Sequence, residues 1–208
     1  TNGWFIGQDP DRIWSYERLG VWQLDEKEEA SVYGASPGDF KYKDQNGDGV
    51  LTNEDRVFQG YTTPRARISL RNDFTFYKNF NVSFTMYSHL GHYGQFNEAA
   101  NYNFGQPYRF SSYDIPRWTK DNPTNDYARI ASYNAGTNWV KKSFIRLDNF
   151  TLSYNLPSVF LQKMHVQRAR LTFTVRNMGV WSPNWTFWDP ETGSLSPRSY
   201  NMGINFTL

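Results

Sequence analysis

The sequence predicts an all-β fold, namely about six C-terminal antiparallel strands of a large transmembrane β-barrel with long extracellular loops. The first observation behind this is the ending, where Tyr200, Met202, Ile204, Phe206 and Leu208 alternate with Ser199, Asn201, Gly203, Asn205 and Thr207. Side chains alternate at period two along a strand, so these apolar residues share one face. Such a strand at a chain end is an aggregation hazard in water. A closed barrel in lipid removes the hazard by pairing both edges and burying the apolar face. The second observation is a rhythm of long and short connections, set out below. The third is composition: aromatic residues are 18% of the 208, with 8 Trp, 14 Tyr and 16 Phe, yet mean hydropathy is −0.73. Aromatic girdles with polar loops fit that combination, and so does a soluble carbohydrate-binding β-sandwich.

Several classes are excluded. No run of about eighteen apolar residues exists, so there is no spanning helix, whereas a spanning strand needs only about ten alternating residues. Net charge is +2, with Lys and Arg interspersed, which argues against nucleic acid as a partner. Absence of cysteine removes disulfides and thiol chemistry. The opening Thr1-Asn2-Gly3-Trp4 does not read as a secretion leader. The expectation is a piece, residues 1–208, of something larger.

Taken in order, Asp11 to Gln23 (Ile13, Trp14, Tyr16, Val21, Trp22) is a weak first strand, followed by an outer loop over 24–64. Arg67 to Tyr77 alternates, with Ile68, Leu70, Phe74 and Phe76 on one face and Asn72 interrupting it. A tight turn at Tyr77–Phe80 leads into Phe80, Val82, Phe84 and Met86, completing a hairpin. Residues 91–141, rich in Asn, Tyr, Gly and Pro, form a loop too long for a compact soluble domain unless functional. Phe150, Leu152 and Tyr154 restore alternation, but Ile145 and Leu147 stand in the opposite phase, so either a bulge between them or an end of the strand that does not meet lipid is expected. After a short connection at Leu156–His165, Ala169, Leu171, Phe173 and Val175 oppose Arg168, Arg170, Thr172, Thr174 and Arg176. An aromatic outer loop over 179–197 precedes the last strand. Long and short connections thus alternate, as in outer-membrane barrels with long outer loops and short periplasmic turns. Strands this few cannot enclose a channel by themselves.

One local motif is sharp. Asp44-Gln45-Asn46-Gly47-Asp48-Gly49-Val50-Leu51-Thr52-Asn53-Glu54-Asp55 has the calcium-loop spacing of oxygen ligands with a central glycine. Asp44, Asn46 and Asp48 would give side-chain oxygens, Val50 a carbonyl, Thr52 an oxygen or a water, and Asp55 the closing carboxylate. Asp55 is shorter than the usual Glu, and the preceding Gly38 to Lys43 reads as strand, so there is no helix–loop–helix module. An Asx-rich turn that binds nothing has the same composition. His89, His92 and His165 lack zinc-site spacing. No hydrolase elbow, P-loop or dinucleotide fingerprint occurs, so no enzyme is expected. Trp181, Trp185, Phe187 and Trp188 crowd one loop, with Trp118 and Trp139 in another. Such aromatics stack on sugars, grip a partner, form an interfacial belt or pack loops together.

Four blocks resemble the SusC/RagA-like TonB-dependent outer-membrane transporters of Bacteroidetes. Pro37-Gly38-Asp39-Phe40-Lys41-Tyr42-Lys43-Asp44, running into Asn46-Gly47-Asp48-Gly49 and Asp55-Arg56, looks like one family segment. Arg117-Trp118-Thr119-Lys120-Asp121-Asn122-Pro123 with Asn125-Asp126-Tyr127-Ala128-Arg129 looks like a family loop, with Ala128 where proline is usual. Ser143 to Pro157 looks like a family strand. Asn177 with Asp189-Pro190-Glu191 looks like a late stretch, with Met178 in place of leucine.

The resemblance implies a barrel of about 22 strands around an internal plug. It also implies a SusD-like surface lipoprotein as lid, energy from the TonB complex through an N-terminal region outside these residues, and an oligosaccharide or peptide as substrate. The place would be the outer membrane of a Gram-negative bacterium. Ile68, Leu70, Phe74, Phe76, Phe80, Val82, Phe84, Leu171, Phe173 and Val175 would then face lipid, and Arg71, Asp73, Arg168, Arg170 and Arg176 the lumen. The Asp44–Asp55 loop would be extracellular, with calcium stiffening it. The ligand-binding candidates are Trp181, Trp185 and Trp188. The competing reading is a soluble calcium-dependent carbohydrate-binding β-sandwich.

Overall fold

The computed structural model describes residues 5–95, 116–129, 139–163, 165–186 and 188–207. Phe187, Leu208 and much of the expected 91–141 loop (96–115 and 130–138) lie outside them. Strands dominate: β1 (Arg12–Tyr16), β2 (Arg18–Val21), β3 (Phe40–Tyr42), β4 (Arg56–Tyr61), β5 (Ala66–Phe76), β6 (Phe80–Leu90), β7 (Tyr93–Gln95), β8 (Trp139–Lys141), β9 (Phe144–Asn155), β10 (Arg168–Trp181) and β11 (Ser199–Thr207). Among the described residues no helix is long and apolar enough to cross a membrane. The chain divides into two units, one of Thr1–Thr62 with Tyr93–Val140 and one of Thr63–His92 with Lys141–Leu208.

The second unit holds a five-stranded antiparallel sheet in the order β11-β10-β9-β6-β5. Its registers align the alternation read from the sequence. Phe74 faces Val82, Phe84 faces Phe150, Val82 faces Leu152, Phe173 pairs with both Leu152 and Met202, and Leu171 with Ile204. Opposed residues share a face, so one side of the sheet is apolar except where Asn72 faces Phe84 and Ser88 faces Ile68 and Ile145. That side is open: Ile68, Leu70, Phe74, Leu152, Leu171, Met202, Ile204 and Phe206 are all exposed. The opposite side carries Arg71, Asp73, Ser83, Thr85, Thr151, Arg170, Thr174 and Arg176. At one end the β5–β6 turn is tight, with Tyr77 and Lys78 both at positive φ, and β9 is joined to β10 through the helix Ser158–Lys163.

The expected bulge is present. Thr85 faces Asn149 and Met86 faces Leu147, so Asp148 is the extra residue on β9. On β10 the register slips between Arg176 and Gly179, and Asn177 there takes φ 52°. An inserted residue reverses which parity points outward. Ile145 and Leu147 therefore join Phe150, Leu152 and Tyr154 on the apolar side, and Phe144 and Arg146 turn to the polar side, where both are buried.

The first unit is built from two-stranded ribbons. Asp11–Gln23, expected as one barrel strand, is instead two short strands: β1 pairs with β4, and β2 with β3. The physical reason is a break at Glu17 together with register shifts at Ile13/Trp14 and Arg18/Gly20, which keep either strand from lengthening. The 24–64 segment holds the helix Lys27–Val32 as well as β3 and β4. Val21, Phe40, Trp118 and Ala128 form one core cluster, and Trp22, Ala30 and Ala35 another.

Candidate functional site

Three constellations carry chemistry, and the first is the Asp44–Asp55 loop. The Asp44 carboxylate accepts the N–H of Gly47 at 2.6 Å and of Gly49 at 2.8 Å. Asn46 Oδ1 accepts from Asp48 N at 3.1 Å, Asp48 Oδ1 from Val50 N at 2.8 Å, and Asn46 Nδ2 donates to Asp48 Oδ2 at 3.0 Å. These are successive Asx turns, and Gly47 and Gly49 supply the positive φ that the winding needs. Asp55 is fully buried at the base. It accepts N–H bonds from Gln45 (2.9 Å) and Thr52 (2.7 Å), and with Thr52 it forms a capping box around the single 3-10 turn Asn53–Asp55. The Thr52 N–H, helped by those of Gln45 and Asn46, outweighs burial and holds the Asp55 carboxyl below its ordinary range.

The donor set is hard oxygen, which suits calcium. Asp44, Asn46 and Asp48 share one turn, and Val50 turns its side chain to solvent. Among the described residues no three acidic or histidine side chains converge as a metal-holding group. The side-chain oxygens a cation would use are engaged by N–H donors.

The second constellation lies on the polar side of the sheet. Arg146 Nη2 stands 2.7 Å from both Asp189 oxygens, and the two side chains are 4% and 5% exposed. Nη1 donates to Asn177 Oδ1, and Nε lies 3.3 Å from Glu191 Oε2 without hydrogen-bond alignment. Tyr87 Oη donates to that same Glu191 oxygen at 2.6 Å. Beneath the guanidinium lies the Phe144 ring, its centroid 5.5 Å away and itself edge-on to Tyr87. Burial alone would raise the Asp189 pKa, but the Arg146 bond and the N–H groups of Glu191 and Thr192 overcome it, leaving the carboxyl below its ordinary range.

Of the expected tryptophans, Trp185 and Trp188 belong to the same loop as Asp189 and Glu191. Trp181, opposite Ile145 at the end of β10, is exposed on the apolar side. Trp185 is buried; its Nε1 donates to Trp188 O at 2.8 Å and its ring receives the Lys142 ammonium at 4.9 Å. Trp188 is half-buried.

In the first unit, motif residues far apart in sequence meet. Arg129 N donates to Gly38 O at 2.7 Å, and Gly38 N to Trp22 O at 2.7 Å. Trp118 Nε1 donates to Gln23 Oε1 at 2.9 Å, while Val21 N bonds Asn125 Oδ1 at 3.3 Å. Lys41 bonds Glu26 at 2.8 Å and lies over the Trp22 ring.

Sequence reasoning did not single out Tyr87 or the pairing of Arg146 with Asp189. A signal existed: Arg146 sits in the out-of-phase half of its strand, where the bulge turns it inward.

No protein-family profile matches the chain. Two TonB-dependent receptors of Formosa agariphila are similar to it, one 28% identical over 98% of the chain and the other 27% identical over 97%. The chain spans only 23% and 20% of their lengths. In fold it matches the RagAB peptide importer in its open-open state with TM-score 0.66 at 17% identity, covering 100% of this chain and 25% of that one. A structure of the RagAB peptide transporter matches with TM-score 0.62 at 18% identity, over 94% of this chain and 22% of that one. Along almost its whole length, then, the chain is similar in sequence to part of two TonB-dependent receptors, and it shares the fold of part of the RagAB importer.

Proposed function

We propose that this chain supplies wall strands and outer loops of an outer-membrane importer of the SusC/RagA kind. That importer takes up an oligosaccharide or peptide nutrient with a SusD-like surface lipoprotein and draws energy from the TonB complex. The observation that supports this best is the open apolar side of the five-stranded sheet, continuous from Ile68 to Phe206 and backed by a side carrying Arg71, Asp73, Arg170 and Arg176. In water such a face would aggregate; in a bilayer it is the lipid contact, and the charged side then lines a hydrated lumen.

The test is fractionation of cells making the full-length protein, followed by detergent extraction and intact mass. The expected result is a species much larger than this chain in the outer membrane. A detergent-free soluble species would overturn the reading in favour of the lectin-like sandwich. Uptake assays with labelled oligosaccharides and peptides then separate the two substrate classes.

Calcium in the Asp44–Asp55 loop is a further part of the proposal. Asp44, Asn46, Asp48, the Val50 carbonyl, Thr52 and Asp55 would hold the ion, which would replace N–H donors as the loop's organiser. Calorimetric titration should show binding in about the 10⁻⁴–10⁻³ M range of extracellular modules. Asp48→Ala should weaken it while the barrel stays folded, and an unchanged affinity would remove the site. Among the aromatics, Trp181 suits the interfacial belt, and Trp188 is better placed than the buried Trp185 to stack on a sugar ring.

A further inference from the structure

Residues 182–198 leave the end of β10 and return to β11, the neighbouring strand. A direct return needs only a few residues. This segment instead reaches across the polar side, over β9 to β6. Its Asp189 meets Arg146 of β9, and its Glu191 meets Tyr87 of β6. At its base, Ser182 Oγ donates to Ser143 O at 2.8 Å, and Asn177 Nδ2 reaches back to Ser196 O at 2.9 Å.

The attachment is polar at almost every point. Leu195 is 78% exposed, and Trp185 is the buried large apolar side chain among the segment's described residues. Asp189 also winds the segment internally, accepting from the N–H groups of Glu191 and Thr192, with Gly193 N donating to its carbonyl at 2.9 Å. One carboxylate therefore serves both the internal turn and the anchor. A segment fastened chiefly by one buried ion pair, with Trp185 and Pro190 as its buried side chains, has two natural states, attached and released, because the pair is either made or broken.

We propose that Arg146 is a positioning residue that latches the described residues of this segment, 182–186 and 188–198, as a strap across the polar side of the sheet, and that breaking its contact with Asp189 releases the strap as a unit. On the importer reading, which this consequence rests on, the latched strap lies inside the lumen, in the path of a translocating solute. Its release widens that path and exposes Trp185 and Trp188.

The experiment is hydrogen–deuterium exchange of the full-length protein in detergent, comparing wild type with Asp189→Asn and Arg146→Lys. Asp189→Asn alters only the strap side and is isosteric, so the sheet is left intact. The latch predicts that exchange of the strap peptides rises at least about ten-fold in Asp189→Asn, while β9 and β10 peptides stay as in wild type. Arg146→Lys, which keeps the charge and loses the planar fork, should fall between. Strap exchange unchanged in Asp189→Asn overturns the latch, and so does exchange rising equally in β9 and β10, which would make the pair merely structural. Partition of the wild-type protein into the outer-membrane fraction is measured separately. A soluble wild type would sink the importer reading while the exchange result still decided the latch.

Discussion

Arg129 grips Asp39 across ninety residues of chain, Nε to Oδ1 at 2.9 Å and Nη2 to Oδ2 at 3.3 Å. Asp39 is nearly buried, and it also accepts the Ser36 N–H at 2.9 Å. Because Asp39 belongs to the Pro-Gly-Asp block and Arg129 ends the Arg-Trp-Thr block, the pair joins two sequence motifs into one fold unit. Asp39→Asn should cost about 1–2 kcal/mol, since it strips the charge from a partly solvated pair. Amide exchange in 116–129 measures this; exchange there equal to wild type would mean the pair is idle.

Gly38 beside it is the more severe position. It sits at φ 92°, and a Cβ would come within 2.5 Å of Trp118 Cε3 and 2.8 Å of Arg129 Cβ. Gly38→Ala should therefore destabilise the first unit by more than about 2 kcal/mol through backbone strain and overpacking together. Tryptophan fluorescence of a denaturant series on the full-length protein checks it, with Gly34→Ala as control, where a Cβ meets nothing within 4 Å despite a similar φ.

The two sides of the sheet should respond oppositely to charge. Phe173→Arg, on the apolar side between Leu152 and Met202, should cost about 2–4 kcal/mol if it lies near the bilayer midplane. Ser69→Arg on the polar side should leave assembly intact. Heat-modifiable migration on gels reads both, and equal tolerance would argue that the apolar side never meets lipid.

His92, just beyond β6, is buried, and its Nδ1 has no hydrogen-bond partner. Burial first, then the nearby Lys142, lowers its pKa to about 4. The unfolded chain binds that proton near its ordinary value of about 6.5. Between these values the unfolded state holds more protons, so the His92 contribution to stability falls as pH drops from about 6.5 towards 4 and is unaffected above. His92→Gln should flatten that part of the pH–stability curve, measured by thermal unfolding; a wild-type slope in the variant would place the titration elsewhere.

Asp55 should show itself at lower pH. Its depressed pKa means the carboxylate supports the loop fully above the ordinary value near 3.8 and loses that support as pH falls through the lower folded value. Asp55→Asn should loosen residues 44–55 at neutral pH, seen as faster amide exchange confined to that loop.

The sheet was legible because a strand exposed on one face writes its orientation into alternate residues, and Phe74–Phe84 or Leu171–Ile204 needed no further information. Even the bulge could be read, since the phase of Ile145 and Leu147 contradicts that of Phe150 and Leu152. The strands of the first unit were not so readable. Short ribbons such as β2 and β3 are sorted by cores of Trp118, Phe40 and Trp22, and those contacts come from distant segments. The helices Lys27–Val32 and Ser158–Lys163 are too short for a 3.6-residue period to register. Of the candidate site residues, Asp44, Asn46 and Asp48 could be placed because their spacing is local. Arg146 and Asp189 were each visible inside a motif, but nothing in a linear sequence joins a strand arginine to a loop aspartate 43 positions away.

The extra residue at Asp148 has a consequence for how the rim and the wall of this sheet can differ. Below it, even-numbered residues of β9 look towards the apolar side; above it, odd-numbered ones do. The two stretches of one strand thus answer to different neighbours, the lower to the surrounding medium and the upper to the loops that rest on it. Removing Asp148 would turn Arg146 and Phe144 outward together and leave Asp189 facing Ile145 and Leu147. The inserted residue is a gear between two parities, and through it the rim can be re-aimed by a single codon while the wall stays as it is.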